Sequence, residues 1–241
     1  GPRSGRTPCC RRGVAERHGS AEPRGAAAPL HAACFADMPV LEPSDSACEL
    51  AMARAAVALL EGLDLPGLLR STTRLSDGKA PVGPGDRVDV AVAPYLKRTA
   101  KYVMMPGMAR KRRIDLEERL SRAAATSEAS PFTFEGLRDS VIGIVTSGVA
   151  YQFVREALPE ASVLKLGMTF PLPEQRIRDF ASRVERLVVV EELDPYLMSR
   201  VRAMGLTADD AGIPHIGELS PGAVGRAFGA VEPETREPME D

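Results

Sequence analysis

Residues 141–190 read VIGIVTSGVAYQFVREALPEASVLKLGMTFPLPEQRIRDFASRVERLVVV, a text that switches repeatedly between two periodicities. Val141–Thr146 is a continuous apolar run, as a strand buried on both faces requires. Ser147 and Gly148 open a helix whose stripe is Ala150, Phe153, Val154, Ala157 and Leu158, and Pro159 ends it. Val163–Leu166 is a second strand. Pro173 stands at a first helical position, and Ile177, Phe180, Ala181 and Val184 form the next stripe. Leu187–Val190 is the third strand. Beyond it Asp194, with Pro195 behind, caps a helix that turns Leu197, Val201 and Met204 inward and closes at Gly205. The alternation β-α-β-α-β-α predicts an α/β domain with a parallel sheet and right-handed crossovers.

Upstream, Ser46 and Glu49 have the S-x-x-E spacing of a capping box. Met52, Ala56, Leu59, Leu60 and Leu63 follow at helical spacing, and Asp64 and Pro66 stop the helix. Gly67–Thr73 reads as a short strand. Residues 77–137 are mixed: a turn-rich SDGKAPVGPGD, an alternating strand at Val88–Val92, an apolar Tyr102–Met108 and a polar helix over 115–125. Residues 1–37 carry six arginines by Arg24 but only Val14 and Leu30 as aliphatics, too little apolar surface to offset ordering entropy. They are expected to be a disordered or aberrant tail. The composition break near Cys34–Phe35 raises the expectation that 1–33 are translated out of frame. The expected organisation is tail 1–37, a helix–strand piece 38–76, a connection 77–137, an α/β domain 138–228 and a tail 229–241.

Composition narrows the function. Lys plus Arg number 31 against 33 Asp plus Glu, giving a net charge of −2. That balance argues against a general nucleic-acid binder, and aromatics at 5% with no Trp argue against base stacking. No run of 18 apolar residues is present to span a membrane. Cys9, Cys10, Cys34 and Cys48 form no C-x-x-C pair, so neither zinc nor an iron–sulfur cluster is indicated. Their number also lacks the logic of a disulfide scaffold and fits a reducing cytoplasm.

Few residues invite chemistry on their own. Ser71, Thr72, Thr73 and Arg74 gather hydroxyls and a guanidinium at a strand end, where α/β sheets bind ligands, although a hydrogen-bonded turn explains them equally. Ser147 reads as a helix N-cap; the competing reading is an anion site at that helix start. Neither a G-x-G-x-x-G nor a Walker sequence is present. Glu191 and Glu192 end the third strand, with capping or charge pairing favoured over acid–base work. The run Arg110–Arg113 (RKRR), followed by Glu117 and Glu118, reads as a solvated helix face. Cys48 lies in a helix's first turn and His215 in a loop, without a nucleophile motif beside either.

Longer stretches carry a resemblance. MPVLEPSDS (38–46), LLRSTTRLS (68–76), YVMMPGMARKR (102–112), TSGVAYQFVREALPEASVLKLGMTFPLP (146–173), VVVEELDPYL (188–197) and GELSP (217–221) resemble, in order, the alpha subunit of indolepyruvate ferredoxin oxidoreductases. The resemblance implies a transketolase C-terminal-like domain over 138–228, preceded over 38–76 by the last helix and strand of a pyrimidine-binding α/β domain. It implies a parent enzyme that oxidatively decarboxylates aryl 2-oxoacids such as indolepyruvate, with CoA and ferredoxin, to aryl-acetyl-CoA and CO₂. It further implies thiamine diphosphate, Mg²⁺ and [4Fe–4S] clusters in that parent, a smaller beta subunit as partner, and a cytoplasmic location. The family's catalytic glutamate, glycine-rich diphosphate motif and cysteine clusters are not matched in these residues. Hence no catalytic residue is assigned, and Ser71, Thr72, Thr73 and Arg74 are the only residues expected near cofactor or substrate. Asp77 and Arg113 stand where the family pattern leads one to expect His. The isolated chain is expected to be inactive. Two other readings compete: a non-catalytic assembly module of such a complex, and a nucleotide-binding domain using Ser147 and Gly148.

Overall fold

The computed structural model describes residues 10–14, 24–83, 85, 96–103 and 105–230; for 10–14 and 24–29 the description is of the backbone alone. The strand expected at Val88–Val92 lies outside these residues. In chain order the elements are β1 (Cys10–Val14), α1 (Arg24–Phe35), β2 (Val40–Leu41), α2 (Ser46–Leu63), β3 (Gly67–Ser71), α3 (Thr73–Asp77), α4 (Thr99–Tyr102), α5 (Pro106–Glu128), β4 (Phe134–Gly136), β5 (Ile142–Ser147), α6 (Ala150–Ala157), β6 (Ser162–Leu166), β7 (Met168–Phe170), α7 (Glu174–Ala181), β8 (Arg186–Val190), α8 (Tyr196–Ala203) and α9 (Pro221–Ala227).

Two four-stranded sheets result, ordered β1-β3-β2-β7 and β4-β6-β5-β8. In the second, β5 pairs in parallel with both β6 and β8, and the apolar faces of α6 and α7 cover it. That is the α/β arrangement expected from residues 141–190. Its edge strand β4 is antiparallel to β6, which the sequence reading did not anticipate.

The sheets are joined by their own strands. β7 follows β6 after Gly167 alone, yet pairs antiparallel with β2 of the other sheet (Val40↔Phe170, Leu41↔Met168). Gly167 permits the turn: a Cβ there would lie 2.5–2.8 Å from the Phe132 backbone and Cβ. One buried cluster therefore contains Val40 and Leu68 together with Val145, Leu164, Ile177 and Phe180. Segments read separately as 38–76 and 138–228 share strands and core.

Several local expectations are corrected. Within the expected tail 1–37, β1 pairs with β3, and α1 buries Leu30 and Ala33 in the shared core. Leu30 and Ala33, with Cys34 packed beside them, hold that helix against the core, a stabilisation that overall composition does not reveal. For α2, Asp45 rather than Ser46 is the N-cap, its carboxylate accepting from Cys48 N at 2.8 Å. The helix does stop at Asp64, in the left-handed region at φ 54°, and Arg119 of α5 donates to the Asp64 carbonyl. α5 runs well beyond the expected 115–125, because Pro106 sits favourably in its first turn.

Candidate functional site

The parallel registers bring four strand ends to one place. Val40↔Leu68 and Leu41↔Leu69, continued by one residue, set Glu42 beside Arg70. Thr146↔Val190, continued likewise, sets Ser147 beside Glu191. The carboxyl ends of β2 and β3 from one sheet thus face those of β5 and β8 from the other, the position where α/β proteins form ligand crevices. A cleft of about 50 Å³ lies there, lined among others by Glu42, Arg70, Thr72, Ser147, Thr169 and Glu191.

Glu42 is the centre of its polar network and only 4% exposed. Arg70 Nη1 donates to Oε1 at 2.6 Å, and Ser147 Oγ donates to Oε2 at 2.8 Å. Glu42 N also donates to Gly167 O. The Arg70 guanidinium is held above its ordinary range, first by the charge of Glu42. Gly148, at φ 56°, passes beneath: a Cβ would lie 3.5 Å from Glu42 Oε2 in a conformation that L-residues rarely adopt.

Ser147 is therefore not the N-cap of α6, whose cap position is Val149; its hydroxyl is committed across the seam. A phosphate at this turn would meet the Glu42 carboxylate, and like charges repel, so the nucleotide reading loses its anchor. Asp194 likewise makes no cap for α8. Glu191 takes that part from the strand end, accepting from Leu197 N at 2.7 Å and Met198 N at 2.9 Å. Those backbone donors and the helix dipole favour its ionised form, but burial outweighs them and pushes the carboxyl up to about 7. Glu192 accepts from Leu219 N at 3.0 Å.

Behind the cleft, Tyr196 Oη donates to the Thr169 carbonyl at 3.0 Å and lies 3.2 Å from Cys34 Sγ, which ties α1 to α8. Burial raises both the phenol and the thiol. The hydroxyls of Thr72 and Thr169 are buried without a hydrogen-bond partner.

The four residues singled out at the end of β3 do not act as one group. Thr72 lines the cleft. Ser71 Oγ turns instead to Ser76 Oγ at 3.1 Å. Thr73 begins α3. Arg74 reaches away to Leu219 O at 2.7 Å and Glu218 at 2.9 Å, with its guanidinium over the Phe153 ring. Elsewhere, His215 bridges Leu193 O and Asp210. In the basic run, Arg112 pairs with Asp115, and Arg113 with Asp37 and Glu117. Glu42, Arg70 and Thr169 were missed by sequence reading: Glu42 in LEP and Arg70 in LLRS match no chemical motif, and only the parallel register unites them.

Chemically this cleft binds and positions; it is not built for nucleophilic attack. The Glu42 carboxylate is shared between Arg70 and Ser147, and no histidine stands beside the Ser147 hydroxyl among the cleft-lining residues. At about 10–15 Å³ for each water, 50 Å³ admits a few waters. Its lining does not suit thiamine diphosphate: Glu42, Glu191 and Glu192 converge with Arg70 as the one basic residue, where a diphosphate would need cations. Among the described residues no group of three or more His, Cys, Asp or Glu is placed to hold a metal ion. Nor is any described helix long and apolar enough to cross a membrane.

No family model matches the chain. It is similar to the indolepyruvate oxidoreductase subunit IorA of Methanothermobacter thermautotrophicus, 35% identical over 185 residues, 74% of this chain and 30% of the relative. It is also similar to IorA of Archaeoglobus fulgidus, 34% identical over 177 residues, 71% of this chain and 28% of the relative. The chain thus spans under a third of the length of these curated relatives. Among solved structures, 2-oxoglutarate:ferredoxin oxidoreductase from Magnetococcus marinus superimposes with a TM-score of 0.57 at 13% identity, covering 80% of this chain and 42% of that one. At that identity the likeness shows the fold.

Proposed function

The chain is a partial relative of the indolepyruvate oxidoreductase subunit IorA, and from this we infer that it serves as part of the alpha subunit of such an enzyme. Its parent reaction is the oxidative decarboxylation of aryl 2-oxoacids, indolepyruvate among them, to aryl-acetyl-CoA and CO₂. CoA accepts the acyl group and oxidised ferredoxin accepts the electrons. The observation that carries this reading is 35% identity sustained over 185 residues.

The role of this chain within the parent is the joint between its pyrimidine-binding and transketolase C-terminal-like parts. Thiamine supplies the carbanion chemistry in such an enzyme. Here the residues do something else: β7 and the Glu42–Arg70–Ser147 network fix one α/β layer against another. The cofactor set proposed for the parent is thiamine diphosphate, Mg²⁺ and [4Fe–4S] clusters, whose glycine-rich and cysteine motifs are not matched in these residues. A smaller beta subunit is the partner, and the cytoplasm is the compartment that suits oxygen-sensitive clusters. Because the chain's likeness runs to a named subunit of an oxidoreductase, the assembly-module alternative is not favoured.

Co-purification tests the assignment. The full chain, mixed with the beta subunit of the same oxidoreductase, should elute with it as one species in size-exclusion chromatography. Two separate peaks at concentrations well above micromolar would count against the assignment.

A further inference from the structure

We propose that Glu191 and Glu42 form a proton-operated latch across the seam between the two sheets: with Glu191 protonated the seam is closed, and with Glu191 ionised the second buried charge loosens it.

Geometry supplies the asymmetry between the two carboxylates. Glu42 comes from the end of β2 and has a guanidinium at 2.6 Å. Glu191 follows β8 in the opposing sheet, lines the same cleft, and receives two backbone N–H groups. Among the described residues it has no lysine or arginine within ion-pair distance. A second charge in a small buried space is therefore stabilised directly only by backbone dipoles, with Arg70 and His215 acting from beyond ion-pair distance.

Every charged neighbour bears on the balance. Glu42 opposes ionisation of Glu191, and His215, in the loop after α8, favours it. Arg70 of β3 senses Glu42 most strongly, then Glu192 and Glu191. Asp194 and Glu192 add negative charge along the same loop. On α8, Arg200 stacks 5.5 Å from the Tyr196 ring, and Cys34 of α1 lies behind that tyrosine. Burial dominates and lifts Glu191 to about 7, so its proton exchanges near neutrality.

The latch has a mechanical target. Glu42 receives the Ser147 hydroxyl across the seam, and Ser147 neighbours Glu191 in the β5–β8 register. Charge on Glu191 repels Glu42 and so strains the one side-chain bond that Ser147 makes to the other sheet.

The test compares the full chain with E191Q and E42Q. Melting temperature from pH 5.5 to 8.5 should fall for the wild type by about 5 °C or more as pH rises through 7. E191Q should lack that fall and match the low-pH wild type. E42Q should move its midpoint to lower pH. Equal falls in wild type and E191Q would overturn the latch. Should E191Q fail to fold, carboxyl resonances and amide protection in the wild type decide. Carboxyl-labelled glutamate should show one resonance titrating near 7, and Ser147 and Gly148 amide protection factors should drop between pH 6 and 8. No such resonance, or constant protection, would overturn it.

Discussion

Ser147 and Glu42, 105 residues apart in the chain, are joined by a hydrogen bond of 2.8 Å that spans two sheets. Both are strand-end residues, and the Ser147 hydroxyl finds its acceptor in the other sheet. The same carboxylate holds Arg70 at 2.6 Å. One buried glutamate thus reports on whether the two layers are assembled.

Removing its partners should therefore cost unequal amounts. Ser147→Ala gives up one hydrogen bond to a charged group, about 1.5–3 kcal/mol. Arg70→Met leaves Glu42 buried and uncompensated, about 3–5 kcal/mol. Urea denaturation at pH 7 would rank the two, and a milder effect for Arg70→Met would contradict the network.

Stability should depend on pH with a definite sign. Glu191 rises from 4.5 to about 7 on folding, so the folded state binds its proton more tightly. Its favourable contribution is complete below the unfolded value and disappears as pH rises through about 7. Two to three units correspond to about 3 kcal/mol as an upper bound. Denaturation midpoints at pH 5.5 and 8 check the direction; greater stability at pH 8 would contradict it.

The junction at Gly167 should tolerate no side chain. A Cβ would collide with the Phe132 backbone, which cannot swing away as a flexible side chain could. Gly167→Ala should lower stability by about 1–3 kcal/mol and weaken amide protection in β7. An unchanged melting temperature would show that the strand exchange is looser than described.

Helix α1 offers a direct check on the segment composed like a tail. Leu30 is 5% exposed within the shared core, so Leu30→Ala should cost about 2–5 kcal/mol. A neutral result would return α1 to the status of an appendage.

The legible and illegible parts of this chain differ in range. Val141–Thr146 and Leu187–Val190 announce strands because their apolar runs are local. The stripes of α6 and α7 are equally local. What stayed hidden depends on contacts far along the chain. β7 could not be assigned to the other sheet, since MTF carries no mark of its partner. Asp45 displaced Ser46 as the cap because either residue can accept from that first turn. Glu191 rather than Asp194 receives the α8 amides because a strand-end side chain lies above them, a geometry that sequence spacing cannot supply. Ser71, Thr72, Thr73 and Arg74 looked like a cluster because they are adjacent; a strand and the turn after it point them different ways. The site itself needed Glu42 and Arg70, two ordinary residues that only a register brings together.

The isolated chain should not reduce ferredoxin when given indolepyruvate, CoA, thiamine diphosphate and Mg²⁺. Its cleft is lined by Glu42, Glu191 and Glu192, which do not suit a diphosphate. Anaerobic spectroscopy of ferredoxin reads this directly. Sustained reduction by the chain alone would mean that a cofactor site has been overlooked.

The most direct measurement is made in a chimera. Residues 38–228 would replace the matching portion of the Methanothermobacter thermautotrophicus IorA subunit, co-expressed with its beta subunit, and indolepyruvate-dependent ferredoxin reduction would be assayed. Membership in this enzyme class requires an assembled complex with measurable, CoA-dependent turnover, reduced by further substitution of Arg70. An assembled, cofactor-loaded complex without any turnover would contradict it.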